Sequence, residues 1–152
     1  MLLLIQYTLI FASVLALVAL GGCFSEHSGV INIGLEGIMV MGALGGALAM
    51  KFVPAGVPAI VMFLLVVLAS LLMGVLFSLL LGVAAINFNA DQTLVGTALN
   101  LMGTAAAVVI VRAINVAENP DNVSSTIVYR KAKQVFLVKI GDFEFNWFML
   151  LV

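Results

Sequence analysis

Long apolar runs separated by short polar breaks are the feature that most limits the fold of this chain. The first run covers residues 2–24 with Gln6 as its one strongly polar member, and further runs cover 38–50, 58–86 and 94–112. A helix of about 20 apolar residues crosses the hydrocarbon core of a bilayer. The pattern predicts an all-α, polytopic transmembrane helical bundle.

Composition excludes the main soluble classes. Hydrophobic residues make up 64% of the chain and charged residues 9%, whereas a soluble domain is about 45–50% apolar and about 25% charged. The net charge of −1 provides no basic field for nucleic acid. The single cysteine rules out an intramolecular disulfide. We therefore expect the chain to contact the lipid bilayer and not to bind nucleic acid.

The charged residues are concentrated after position 112. Residues 115–146 therefore form a predicted polar loop, and residues 147–152 begin another apolar run. We expect the chain to be the N-terminal part of one membrane domain, truncated at the start of a further span. The few charged residues before Arg112 are Glu26, Glu36, Lys51 and Asp91.

The first run also has two cleavage interpretations. A secretory signal needs basic residues ahead of its apolar core, and residues 1–8 contain none. Residues 20–23, Leu-Gly-Gly-Cys, look like a lipoprotein processing site. Because further apolar runs follow at once, we favour an uncleaved first helix in which Cys23 is a small apolar residue near the end.

A broken or short helix is predicted after the first span. Residues 25–37, SEHSGVINIGLEG, are too polar to continue the span, and the apolar run at 38–50 is short for a full crossing. Irregular backbone at membrane depth requires burial by protein or a hydrated cavity. Gly42 and Gly46 form a GxxxG pattern that favours close helix packing.

Ser28, Asn32 and Glu36 recur every four residues within this break. If the segment is helical, the three side chains share a face. An ionisable group near the bilayer core is costly and faces a cavity or a partner. The stripe is therefore either a substrate path or gate, or a buried polar anchor for a neighbouring half-helix.

The third run carries one face of small residues. Residues 58–86 are long enough for one tilted helix. The small side chains recur every four residues, and we predict that they form a packing seam inside the bundle. They are Ser70, Gly74, Ser78 and Gly82.

The fourth run carries a polar stripe. Gln92, Gly96, Asn100 and Thr104 share a face of a helix, which predicts that this face points into the bundle or a water path. Asp91 precedes the run, and its carboxylate either caps free backbone N–H groups or joins Gln92 and Asn100 in the pathway.

Catalytic, metal and nucleotide sites are not indicated. Residues 25–28, Ser-Glu-His-Ser, have catalytic residue types, but adjacent residues on a helix point in different directions. One histidine with scattered carboxylates is a poor metal site, and no GxxxxGK[ST] phosphate loop is present. We expect a non-enzymatic protein with no catalytic residue, metal or cofactor.

Two blocks of sequence resemble a known family. Residues 21–37, GGCFSEHSGVINIGLEG, and residues 90–101, ADQTLVGTALNL, resemble motifs of the inner-membrane permeases of nucleoside ABC importers. These permeases belong to a wider group that serves branched-chain amino acid and simple sugar importers. The resemblance covers about residues 10–112.

The resemblance implies a permease subunit that forms the path for a small polar solute in the bacterial cell membrane. It implies a second permease subunit, cytoplasmic ATPase subunits, an extracytoplasmic substrate-binding lipoprotein, and alternating access. Two departures are that the family often has arginine at the position of His27, and that its ATPase-coupling loop lies beyond residue 152.

Two alternatives and one question of orientation stay open. In the first alternative, the solute is a simple sugar or a branched-chain amino acid. In the second, the chain is a non-transporting membrane scaffold or a channel. The basic residues of the 115–146 loop favour a cytoplasmic location, whereas the family pattern implies an external one, which we favour. Those basic residues are Arg130, Lys131, Lys133 and Lys139.

Overall fold

A computed structural model of the chain describes residues 2–54, 56–127, 137–140 and 143–146. Helices account for most of this part, and an antiparallel hairpin of two strands lies in the polar segment. The elements are α1 (Leu2–His27), α2 (Leu35–Phe52), α3 (Ala59–Asn87), α4 (Gln92–Glu118), β1 (Leu137–Ile140) and β2 (Phe143–Asn146).

The predicted all-α transmembrane bundle is confirmed. Each of the four helices is long and apolar enough to cross a membrane. The expected break after the first span is also confirmed, because α1 ends at His27 and α2 begins at Leu35. The hairpin adds two short strands outside the helical part. The further span predicted from residue 147 lies outside the described residues.

The fourth helix continues well past its predicted apolar run. The prediction ended the fourth run at Arg112 and began the loop at Asn115, whereas α4 continues to Glu118. Apolar residues such as Ile114 and Val116 continue the helix, and a long arginine side chain can extend towards water from a membrane helix. The polar segment therefore starts at Asn119, and Asn115 belongs to the helix.

The end of α1 is fixed by a glycine with a positive φ. Gly29 has a φ of 83°, a left-handed conformation that glycine adopts without steric cost. Around it, the Gly29 N–H donates to the Glu26 carbonyl over 3.0 Å, and the Val30 N–H donates to the Ser25 carbonyl over 3.3 Å. The chain thus leaves α1 in a closed turn.

Glycines bring α2 against α3. A Cβ atom added to Gly45 would lie 2.6 Å from Met73 Cγ, and one added to Gly42 would lie 3.4 Å from the Ser70 carbonyl oxygen. A Cβ on Gly46 would overlap the Ser70 hydroxyl. The close approach buries apolar side chains of both helices, including Leu44.

The small-residue face of α3 is only partly an interface. Ser70 contacts α2, and a Cβ on Gly74 would lie 3.9 Å from Ile38. Further along, the Ser78 hydroxyl donates to the carbonyl of Val75 in its own helix. Gly82 has open space around it. The seam with α2 therefore includes the first half of the predicted stripe.

The helices α2 and α4 run parallel. Gly34 lies beside Gly96 at one end, and Lys51 lies beside Glu118 at the other. The buried apolar core of the described residues lies among α2, α3 and α4, whereas no described residue of α1 is buried. The core residues are Met41, Leu44, Phe77, Leu81, Leu99 and Val111.

Two polar contacts close the far end of this pair. The Lys51 ammonium lies 3.0 Å from the Glu118 carboxylate, and its side chain is only 10% exposed. Asn115 is buried, and its Nδ2 atom donates to the carbonyls of Ser124 and Thr126, each over 2.9 Å. The segment after α4 is thereby folded back onto the end of the helix.

Candidate functional site at the helix break

The break between α1 and α2 is held against α4 by side-chain amides. The Ile31 N–H donates to Gln92 Oε1 over 2.9 Å. Asn100 accepts from the Gly37 N–H over 2.8 Å and donates through Nδ2 to the Ile33 carbonyl over 2.9 Å. These bonds satisfy main-chain groups that a regular helix would have paired internally.

Asn100 provides the cap that α2 lacks. Gly34 is the N-cap residue of α2 and makes no side-chain cap bond. The first four N–H groups of a helix have no partner within it, and an unpaired group in lipid costs several kcal/mol. The amide of Asn100, from another helix, pairs the N–H of Gly37 in this first turn.

Glycine pairs allow this contact between main chains. A Cβ atom added to Gly37 would lie 2.5 Å from the Leu99 carbonyl oxygen, and one added to Gly96 would lie 2.9 Å from the Gly34 nitrogen. A Cβ on Gly103 would lie 2.9 Å from the Gly37 Cα atom. Any larger side chain at these positions would separate the break from α4.

The predicted stripe of Ser28, Asn32 and Glu36 does not share a helix face. Residues 28–34 are turns and irregular backbone, so a spacing of four does not align the side chains. The Ser28 hydroxyl donates to the Ser25 carbonyl over 2.6 Å. Asn32 Oδ1 is buried and has no hydrogen-bond partner among the described residues. Glu36 is exposed in the first turn of α2.

The polar residues of α4 have separate structural contacts. Asp91 is the N-cap of α4, and its carboxylate accepts from the Thr93 and Leu94 N–H groups over 2.8 and 3.3 Å. Gln92 and Asn100 bind the break, as described above. Thr104 is exposed and donates its hydroxyl to the Asn100 carbonyl over 2.8 Å.

Gly37 and Gly103 are contact residues that sequence reasoning did not single out. Gly37 is the last residue of the predicted break, and Gly103 lies outside the predicted polar stripe of α4. The available signal was the seven-residue spacing from Gly96 to Gly103, which repeats a small residue on one helix face after two turns. The four-residue spacing of the predicted stripe selects Thr104, one position later, and passes over Gly103.

Glu36 has no internal counter-charge in the part of the chain that the structure describes. The one ion pair there joins Lys51 to Glu118 at the opposite end of α2. No group of three or more His, Cys, Asp or Glu side chains that could hold a metal occurs among the described residues. The break thus presents a carboxylate on the outside of the α2–α4 pair.

Asn100→Leu is expected to destabilise the protein. The change preserves approximate size but leaves the Gly37 N–H and the Ile33 carbonyl without partners, at about 1–3 kcal/mol for each group. Thermal unfolding in detergent measures the loss. Asn100→Asp retains an acceptor for Gly37 but sets a carboxylate oxygen against the Ile33 carbonyl, so it should also lower the unfolding temperature. Thr104→Val is the matched control, and equal unfolding temperatures for Asn100→Leu and this control would contradict the capping role.

Comparisons with known proteins identify the family. The family model described as "Branched-chain amino acid transport system / permease component" matches residues 4–152. The chain is 47% identical over 107 residues to the guanosine ABC transporter permease protein NupQ of Bacillus subtilis, covering 70% of this chain and 33% of that protein. No solved structure matches the chain.

A second relative is the nucleoside ABC transporter permease protein NupC of Lactococcus lactis. The chain is 39% identical to it over 104 residues, covering 68% of this chain and 32% of that protein. The matched region therefore spans about a third of the length of these relatives. The chain belongs to the branched-chain amino acid transport system permease family and is a multi-pass protein of the bacterial cell membrane.

Proposed function

We propose that the chain is part of the transmembrane permease subunit of an ATP-binding-cassette importer for nucleosides. The observation that carries this proposal is the 47% identity to a permease named for guanosine. The relative named for nucleosides supports it at 39% identity. The permease forms the path for the solute, and separate subunits hydrolyse ATP.

The proposed partners follow from the same class of transporter. Cytoplasmic ATPase subunits hydrolyse ATP, a second permease subunit completes the membrane part, and an extracytoplasmic substrate-binding lipoprotein delivers the nucleoside. Many exposed apolar side chains of α1 and α3, such as Leu15 and Leu68, are suited to lipid or to the second permease. Alternating access then carries the solute across.

The depth of Glu36 supports a place on the path. Gly37, the next residue, lies against Leu99 and Asn100, which are about 11 Å along α4 from its start at 1.5 Å per residue. The 27 residues of α4 extend about 40 Å, against a hydrocarbon core of about 30 Å. With α4 centred in the bilayer, Glu36 lies inside the hydrocarbon boundary, where a carboxylate requires water or a partner.

Of the polar residues near the break, Glu36 and Asn32 are the ones proposed to face the solute. Glu36 has an exposed carboxylate, whereas the unpaired Asn32 oxygen is buried and would contact the solute only after the elements around the break move. Nucleosides carry N–H and O–H groups that can donate hydrogen bonds to these oxygens. Gln92 and Asn100 hold the break in place, so their proposed contribution to the path is indirect.

Two further residues that the sequence predicts on the path, Asp91 and Ser28, make structural contacts near its end. Asp91 caps α4, and the Ser28 hydroxyl closes the turn after α1. Both lie in the polar connections at the same end of the bundle as the break. We propose that they shape the mouth of the path and do not bind the solute inside the bilayer.

Competition for uptake by the assembled transporter tests the proposed function. Cells expressing it should take up labelled guanosine, and excess unlabelled nucleosides should compete. Excess ribose or leucine should not compete, although the family description includes branched-chain amino acids. Competition by leucine or ribose alone would assign the permease to another solute. Uptake independent of the ATPase subunits would indicate a channel.

A further inference from the structure

The parallel helices α2 and α4 are fastened to each other at both ends. At the break, Asn100 pairs with Gly37 and Ile33, and Gln92 pairs with Ile31. At the other end, the largely buried Lys51 ammonium pairs with a carboxylate of α4. Each fastening joins groups that would be costly to leave unpaired in the membrane.

At the break end, the backbones of α2 and α4 leave no room for a side chain between them. The Gly37 backbone lies directly against Leu99 and Gly103, where an added Cβ would come within 2.5–2.9 Å of backbone atoms. Rotating α2 by one residue would replace this glycine with Glu36 or Ile38 at the same contact. Interfaces packed in this way change by discrete steps and not by gradual deformation.

The first helix is attached differently. No described residue of α1 is buried, and residues 28–34, which connect it to α2, are not helical. Its contacts with α2 include the Leu35 side chain, which a Cβ on Gly22 would approach to 3.0 Å. Within the part of the chain that the structure describes, α1 therefore shares little buried surface with the other helices.

We infer that α2 and α4 move as one rigid unit during the transport cycle, and that α1 moves relative to this unit. The inference rests on the proposed transport function and adds where the conformational change takes place. The break then stays fixed to α4 throughout the cycle, so Glu36 keeps its position on the unit. Access to the carboxylate changes through movement of the elements around it.

Reversible cross-linking in the assembled transporter tests this inference. In a cysteine-free background that includes Cys23→Ser, Lys51→Cys with Glu118→Cys joins α2 to α4 through a cleavable thiol cross-linker. Gly22→Cys with Leu35→Cys joins α1 to α2. We expect uptake to be retained after the first pair is cross-linked. We expect it to be lost after the second and restored when the linker is reduced.

For each cysteine pair, uptake after cross-linking is compared with uptake by the same variant before cross-linking and after reduction. A defect caused by the substitutions themselves is therefore not mistaken for an effect of the cross-link. If the first pair assembles poorly, Ile31→Cys with Gln92→Cys tests the same interface from its other end. Loss of uptake on joining α2 to α4, restored by reduction, would overturn the inference, as would unchanged uptake after joining α1 to α2. Absent nucleoside uptake in the unmodified transporter would instead count against the proposed function.

Discussion

Replacing Gly37 with alanine is expected to separate α2 from α4 and to reduce the yield of folded protein sharply. The added methyl would lie 2.5 Å from the Leu99 carbonyl oxygen. That atom belongs to a helix backbone and cannot rotate away like a side chain. Overpacking typically costs about 1–3 kcal/mol, and the shift would also stretch the bond from Gly37 to Asn100.

Gly82→Ala is the matched control for this prediction. Gly82 lies within α3 and has no atom within 4 Å of an added Cβ. Alanine is a better helix former than glycine by about 1 kcal/mol, so the control should be neutral or stabilising. Thermal unfolding of the purified protein in detergent measures both variants. Equal stability of the two variants would contradict the close contact between Gly37 and α4.

Glu36→Gln is expected to lower nucleoside uptake strongly while the transporter still assembles. The change preserves size and removes the charge, so packing at the exposed side of α2 is unaffected. If the carboxylate binds the solute, we expect a loss of about ten-fold or more, corresponding to about 1.4 kcal/mol. Asn32→Ala removes the unpaired oxygen and should also lower uptake.

Glu26→Gln provides the comparison. Its carboxylate is exposed near the end of α1, outside the proposed binding surface, and its removal should leave uptake near normal. Recovery of the complete complex by affinity purification shows whether each variant assembles. Normal uptake by both Glu36→Gln and Asn32→Ala would remove these residues from the path. Loss of assembly would indicate a structural role instead.

The spans and the break were predictable from the sequence because both depend on local composition. Apolar runs of sufficient length must be helical in lipid, since only a helix or closed barrel satisfies every backbone group. Polar residues with glycines after the first run indicated where that helix stops. The spacing on α4 also predicted correctly that Gln92, Gly96 and Asn100 would share a face, because that segment is helical.

The partners of the polar groups were not predictable in the same way. The four-residue spacing within the break assumed a helix, whereas residues 28–34 form turns and irregular backbone. The pairing of Lys51 with Glu118 joins residues that are far apart in sequence. Such contacts depend on how the helices pack against each other, and residue spacing along one sequence does not reveal that packing. Gly103 shows the same limit, since only its approach to Gly37 reveals its importance.

Thiol labelling at position 36 tests most directly whether the break presents this residue to a water-filled path. In a cysteine-free background that includes Cys23→Ser, Glu36→Cys is treated with a membrane-impermeant thiol reagent in the assembled transporter, with and without guanosine. The thiolate is the reactive form, and it requires water. Leu72→Cys, at an exposed apolar position in the middle of α3, is the control. We predict that the thiol at position 36 reacts and that guanosine slows the reaction, while the control stays unlabelled. A thiol at position 36 that is as unreactive as the control would contradict the account.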